Sequence, residues 1–370
     1  MPSTPRAFSI QRSDFDESKG VGTHSLLGSI IRAQERRHAS RDKNRVVRPF
    51  EWGAEFVAEH LNGDDPRPVV AAAAREAVAR SEEFYALPLI EDFELRGDRL
   101  TWTSGIHTSS PENNIASARF FPTQTPKRAS EKVESPRRAV VVLPQWNADE
   151  ESHVALCRLL SRLGIAALRL TLPYHETRRP AETERADFLV SPNVGRTLQS
   201  MRQAVVDTRS AVSWLISQGY ERVGATGTSI GSCTAFLAFV HDERIDVGVF
   251  NHVSGYVADV VWRGISTQHV RAGIEGTLTL EELRALWLPI SPMSFAHRLM
   301  RLRRRPMRFI AARHDLTFPA DLSRDVIAAI KATGVPVNVS WLPCGHYTSG
   351  ERPWVYLDGW KIVNFLRKNL

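Results

Sequence analysis

The chain has 370 residues, 42% of them apolar and 24% charged, with a formal net charge of +7. These proportions are those of an ordinary globular protein with a sizeable core, and they exclude a wholly disordered chain. No apolar run approaches the roughly 20 residues needed to span a bilayer, and the polar stretch after Met1 lacks the features of a secretory leader. A soluble, cytoplasmic protein with no transmembrane segment is therefore expected. The three cysteines, Cys157, Cys233 and Cys344, are odd in number and far apart. That argues against a disulfide framework and against a metal site, and it fits a reducing compartment.

The charge is uneven. Residues 1–50 hold ten Lys or Arg against five Asp or Glu, and a second cluster comprises Arg298, Arg301, Arg303, Arg304, Arg305 and Arg308. Such clusters can mark a nucleic-acid or anionic-membrane surface. Without interleaved aromatic residues or a binding motif, the preferred reading is a solvated surface, with no specific nucleic-acid partner.

Residues 1–24 are polar and aperiodic, and are expected to be poorly ordered. Residues 25–85 read as mainly helical, with Ala, Glu and Arg frequent from 70 to 83. No chemistry is legible there. An N-terminal extension over 1–87 is expected to pack on a main domain over 88–370 as an added layer or cap. Alternation at Phe93, Leu95, Leu100 and Trp102 about Gly97-Asp98 predicts a hairpin, and a short strand follows at 116–121. Residues 122–137 read as an exposed loop.

From Ala139 strands and helices alternate. The continuous apolar run 139–143 predicts a strand buried on both faces. A helix over 154–163 follows, with Gly164 as its stop. Further strands are predicted at 165–170, 222–226, 245–250, 307–312 and 337–342. Helices are predicted around 198–215, 230–240 and 320–333, and from Trp354 onward. Alternation of this kind implies right-handed crossovers and a mostly parallel sheet, with the early hairpin as an antiparallel edge. The stretch 255–292 is long enough for a lid and carries Tyr256, Trp262 and Trp287.

The sharpest motif is Gly227-Thr228-Ser229-Ile230-Gly231, between a predicted strand and a predicted helix. That is the context of a nucleophile elbow, where a tight turn lifts a serine hydroxyl out at the sheet's carboxyl edge and aims a helix N-terminus at the reacting carbon. A serine needs a base, and the base needs an orienting carboxylate. Asp315 follows the strand 307–312 and His346 follows the last strand, so both fall on the same edge as Ser229. Asp259 is an alternative acid, and His314 and His252 are alternative bases. Asp315 and His346 are preferred for chain order and strand-end placement, and His252 is assigned to the pocket wall. An oxyanion needs donors. The backbone N–H of Ile230 is one candidate. Pro144 has no N–H, so Gln145 or Trp146 is the other, with Trp146 slightly favoured. Tyr174 and His175, in the loop after the second buried strand, are candidate substrate contacts. His175-x-x-x-Arg179 lacks the further ligands of a metal site.

With these residues placed, the chain from about residue 88 to 370 resembles the α/β-hydrolase superfamily. The segments Leu143-Pro144-Gln145-Trp146-Asn147, Pro173-Tyr174-His175 and Gly227-Thr228-Ser229-Ile230-Gly231-Ser232 resemble a bacterial branch related to the abhydrolase-domain 18 group. More distantly they resemble dienelactone hydrolase-like and acetylxylan-esterase-like proteins. The resemblance implies an α/β fold with an eight-stranded, mostly parallel sheet, helices on both faces, and no metal or organic cofactor. It carries nucleophile, acid and base to Ser229, Asp315 and His346. The His-Gly oxyanion motif of many esterases is replaced by Pro144-Gln145-Trp146-Asn147. The expected function is hydrolysis of a small acyl ester through an acyl-enzyme. A peptidase or acyltransferase would use the same three residues, and a non-catalytic binding protein could keep the fold. A homo-oligomer is compatible with the sequence.

Overall fold

The computed structural model describes residues 26–58, 65–124 and 136–370. The polar segment 1–24 lies outside the described residues, as do residues 125–135 of the expected loop. The helices, in chain order, are α1 (Leu26–Ala39), α2 (Pro66–Ala79), α3 (Ser81–Phe84), α4 (Val154–Arg162), α5 (Val194–Ser217) and α6 (Ile230–His241), followed by α7 (Val257–Arg263), α8 (Gln268–Ile274), α9 (Leu280–Leu286), α10 (Ala320–Ala332) and α11 (Trp354–Asn369). The strands are β1 (Glu94–Arg96), β2 (Arg99–Thr103), β3 (Ile115–Phe121), β4 (Arg138–Leu143) and β5 (Ala166–Thr171), then β6 (Arg222–Thr228), β7 (Ile245–Asn251), β8 (Met307–Ala312) and β9 (Asn338–Leu342). Among the described residues, no helix is long and apolar enough to cross a membrane.

All nine strands form one sheet in the order β1-β2-β3-β5-β4-β6-β7-β8-β9. Strands β1 to β3 are antiparallel, as is the β3–β5 pair; the remaining pairs are parallel. The sheet is mostly parallel, as the sequence implies, and among the described residues it has nine strands, the number of strands predicted along the chain, rather than the eight that the family resemblance implies. The three-residue strand β1, turned about Gly97 at φ +63°, forms its antiparallel edge.

Strand β4 shows why the sheet is buried on both faces. Ala139, Val141 and Leu143 join one apolar cluster, while Val140 and Val142 join the other. Successive side chains point to opposite faces, so both sets must be apolar. The helices α4 and α11 cover one face through Val154, Cys157, Leu160, Ile362, Phe365 and Leu366. The helices α5, α6 and α10 and the segment between β7 and β8 cover the other. Ala54, Val70 and Tyr85 from the N-terminal ninety residues belong to that same second cluster.

The winding reverses at β4, with β5 on one side of it and β6 on the other. Connections leaving such a point diverge to opposite faces and leave a crevice at the carboxyl edge of the sheet. The loops after β4, β5, β6, β8 and β9 all reach that crevice.

The arginine cluster is not one solvated patch. Arg305 is buried and donates to the carbonyls of Phe239 (2.6 Å), Asp242 (2.7 Å) and Ile245 (2.8 Å). Arg303 pairs with Asp246 at 2.9 Å, and Arg298 pairs with Glu82. A planar guanidinium can satisfy several carbonyls at once, which sequence alone does not reveal.

One buried pair anchors the loop after β5. Arg178 and Asp207 are both fully buried, with Nη2 2.9 Å from Oδ2, and Arg178 also donates to the carbonyls of Thr171 and Asn113. Burial pushes the Asp207 pKa up, and the Arg178 charge opposes that rise. Replacing Arg178 with Met leaves the buried Asp207 carboxyl without its counter-charge and removes the Arg178 donor from the Thr171 and Asn113 carbonyls. Unfolding free energy should fall by about 3–5 kcal/mol. An unchanged midpoint in urea denaturation would contradict this role.

Candidate active site

The chain leaves β6 and enters α6 through Ser229, whose φ is +59° and ψ −125°. L-residues rarely adopt such a conformation, which costs on the order of 1–3 kcal/mol. The neighbouring glycines enforce it. A side chain at Gly227 would strike the Gly231 backbone, and one at Gly231 would strike the carbonyls of Leu143 and Pro144. Strand, turn and helix can approach this closely only without those side chains. The Ser229 N–H donates to the Asn251 carbonyl at 2.9 Å, tying the turn to β7.

Ser229 Oγ lies 2.9 Å from His346 Nε2, and His346 Nδ1 lies 2.8 Å from Asp315 Oδ2. The other oxygen, Asp315 Oδ1, accepts from the backbone N–H of Thr317 (2.9 Å) and Phe318 (2.6 Å). Asp315 is 5% exposed. Burial alone would raise its pKa, but His346 and His252 outweigh burial and hold the carboxyl well below its usual range. For His346, burial disfavours the imidazolium. The Asp315 carboxylate, with a contribution from Glu35, outweighs that and raises the pKa above its ordinary 6.5.

Two of the alternative assignments fall elsewhere. Asp259 is held by Arg284 through hydrogen bonds of 2.9 and 2.7 Å. His314 Nδ1 lies 3.3 Å from Arg32 of α1. His252, expected on the pocket wall, is fully buried and stands behind the acid. Its Nδ1 lies 3.4 Å from Asp315 Oδ2 and its ring 5.0 Å from that of His346. Its φ of +58° carries the imidazole under the site rather than into the cleft.

Sequence reasoning missed Glu35. This α1 residue is fully buried and accepts from the backbone N–H of Tyr347 (3.1 Å) and Thr348 (2.9 Å). It therefore clamps the turn that carries His346, and a side chain at Gly345 would collide with its carboxylate. The available signal was positional: Gly28, Ile31 and Glu35 share the buried face of α1.

A cleft of about 1060 Å³ opens over Ser229 and His346. Gln145, Trp146, Ile230 and His175 line it; Tyr174 and His252 do not. Ile230 is the first residue of α6, so its N–H is one that the helix itself leaves without an acceptor. The indole of Trp146 donates to the Ala186 carbonyl at 2.9 Å and stacks on His269, ring centroids 5.7 Å apart. Gln145 and Trp146 belong to the loop whose first carbonyls abut Gly231.

Both residues proposed from the loop after β5 are drawn into structure. Tyr174, at φ +62°, turns inward, packs edge-on against Phe188 at 5.6 Å, and is only 1% exposed. His175 Nδ1 lies 2.9 Å from the Pro173 carbonyl, and its Nε2 accepts from the Asn147 N–H at 2.8 Å. Burial lowers its pKa to about 4, so the ring is neutral and can serve as that acceptor. With both nitrogens engaged, His175 braces the loop after β4 and has no polar atom left for a substrate.

Apolar walls come from Val190, Val257, Val260, Val261 and Phe318. The cleft's charged lining comprises Arg45, Arg179 and Arg185 together with Asp42, Asp149, Glu150, Glu176, Glu184 and Asp358. Among the described residues, the only group of three metal-capable side chains is His252, Asp315 and His346, with ligand atoms within 4.8 Å of one another. A cation there would compete with the Asp315–His346 hydrogen bond.

No protein-family model matches the sequence, and no curated protein matches it. The fold is that of the α/β-hydrolases. It superposes on acetyl xylan esterase from Paenibacillus sp. R4 with a TM-score of 0.54 and 12% identity, covering 86% of this chain and 98% of that one. Acylaminoacyl peptidase from Pyrococcus horikoshii gives a TM-score of 0.56 and 14% identity over 76% of this chain and 42% of that one. A puromycin-hydrolyzing peptidase from Mycobacterium tuberculosis gives 0.55 and 16% over 69% and 37%. The chain spans less than half the length of either peptidase. At these identities the likeness is one of fold.

The Glu35 clamp is testable without reference to any reaction. Glu35→Ala leaves two N–H groups of the His346 turn without an acceptor and should cost about 1–3 kcal/mol. Hydrogen exchange at Tyr347 and Thr348 should accelerate, with the strands of the sheet still protected. Unaltered exchange in that turn would remove Glu35 from this role.

Proposed function

We propose that the protein is a serine hydrolase that cleaves a carboxylic ester through an acyl-enzyme, with Ser229 as nucleophile, His346 as base and Asp315 as orienting acid. The observation that carries this reading is the unbroken hydrogen-bonded chain from Ser229 through His346 to Asp315, set on a strained turn and opening onto a cleft. Ser229 Oγ attacks the ester carbonyl while His346 Nε2 takes its proton. The N–H of Ile230 receives the oxyanion, together with an N–H of Gln145 or Trp146. His346 then protonates the departing alcohol. Water, activated by the same imidazole, releases the acid and restores Ser229.

An ester is preferred to an amide because acetyl xylan esterase is matched over nearly its whole length, whereas the peptidases are matched over less than half of theirs. This preference rests on analogy of fold. Membership of the narrower bacterial branch belongs to the same proposal. So does the division into an N-terminal extension over 1–87 and a catalytic domain over 88–370. The segment 255–292 is assigned as a lid, since Val257, Val260, Val261, Ser266 and Thr267 wall the cleft. A cytoplasmic location is supported by three buried, free cysteines.

A fluorophosphonate probe should label the wild-type protein and leave Ser229→Ala unlabelled. Hydrolysis of a short-chain p-nitrophenyl ester should fall by about 10^4-fold or more in that variant. Labelling that persists in Ser229→Ala would place the nucleophile elsewhere.

The base must be neutral to accept a proton. Since Asp315 raises the His346 pKa, kcat/KM should rise with pH through a midpoint above about 6.5, the ordinary histidine value. Asp315→Asn should lower kcat by about 10^4-fold and move the midpoint down. A pH profile with the same midpoint in both proteins would exclude Asp315 as the partner of His346.

A further inference from the structure

One part of the cleft lies between the start of α4 and α11, beside β6 and β7. His153, Thr228, Asn251 and Asp358 wall it. Thr228 precedes Ser229 and pairs in register with Asn251, so this part adjoins the nucleophile.

Asp358 is held through one oxygen only. Its Oδ2 accepts from Asn251 Nδ2 at 2.7 Å. Its Oδ1, and the side-chain oxygen of Asn251, are sealed from solvent and have no hydrogen-bond partner among the described residues. Two adjoining acceptors thus lack a donor in a place where buried polar groups are normally satisfied.

The charges of His252 and Lys361 act on Asp358 and oppose the effect of its burial, but Asp358 forms no ion pair with either among the described residues, and Lys361, on the next turn of α11, lies over the Trp360 ring. His153 lies with Nε2 2.9 Å from Thr228 Oγ1, and burial lowers its pKa to about 4, so it is neutral. Burial likewise raises the Asp358 pKa to about 6, leaving the carboxyl mostly ionised just above neutrality. A cation that also donates a hydrogen bond would answer both the charge and the open acceptors.

We propose that this part of the cleft is a subsite for a protonated amine carried by the substrate, held by Asp358 with Asn251. An amine held there would also fix which way the substrate lies across Ser229. The proposal deepens the ester-hydrolase reading and rests on it for the reaction, but not for the binding.

Two matched ester pairs test it. In the first, the amine is on the alcohol side: 2-(dimethylamino)ethyl butyrate against its neutral isostere 3-methylbutyl butyrate. In the second, it is on the acyl side: butyl 4-(dimethylamino)butyrate against butyl 5-methylhexanoate. Binding is measured by calorimetry at pH 7.5 to Ser229→Ala, which keeps the esters intact. The cationic member of one pair should bind at least fivefold more tightly, and Asp358→Asn in the same background should bring that ratio to about 1. Equal affinities in both pairs overturn the subsite even if Asp358→Asn fails to fold. A preference that survives in folded Asp358→Asn overturns its assignment to Asp358. The wild-type protein is assayed in parallel for turnover. Preferential binding without turnover or probe labelling keeps the subsite and removes the hydrolase reading; turnover without charge preference does the reverse.

Discussion

The site depends on a backbone constraint at Ser229. A left-handed serine between strand and helix is unfavourable alone, and the surrounding backbone leaves no alternative. Gly231 is pressed against the Leu143 and Pro144 carbonyls, Gly227 against Gly231, and the Ser229 N–H is held by Asn251. The parallel strands β4, β6 and β7 supply those neighbours, so the turn is over-determined by the sheet itself. The same contacts bring the loop after β4 against the start of α6, where backbone N–H groups from two segments can converge.

Three supports converge on the imidazole of His346 from distant parts of the chain. Asp315 holds one nitrogen and is itself fixed by two backbone N–H groups of its own turn. His252 stands against the same carboxylate oxygen from beneath. Glu35 reaches in from α1 to fix the next two backbone amides after the histidine. A side chain placed to within a few tenths of an ångström needs restraints in more than one direction, and these come from β7, β8 and the N-terminal helix together. The N-terminal segment is thus joined to the site as well as to the core.

The cleft has its own order. The neutral, fully engaged His175 ties the loop after β5 to the loop after β4, and the buried Arg178 ties it to α5. These polar links brace the loops that line the cleft.

The sequence by itself determined the α/β class, the parallel core strands and the three residues that meet over the cleft. It could do so because buried strands must be apolar on both faces, and because a tight strand-to-helix turn needs glycines at fixed spacing. Residues at the carboxyl ends of parallel strands also share one edge whatever the loops do. The predicted strands, counting both arms of the hairpin about Gly97-Asp98, already sum to nine, and the count of eight came only from the family resemblance, which does not include this chain's short edge strand. Only the tertiary structure decided which polar side chains face the cleft and which turn inward. Tyr174 and His252 sit at strand ends like the residues that meet over the cleft, but at positive φ they turn into the protein, and internal hydrogen bonds occupy both nitrogens of His175 at the cleft wall. Glu35 and Arg305 read as surface charges and are buried, since their partners are backbone groups hundreds of residues away or carbonyls at a helix end. Backbone donors and acceptors are the same at every position in a sequence, so a side chain's attachment to them becomes visible only when the chain is folded.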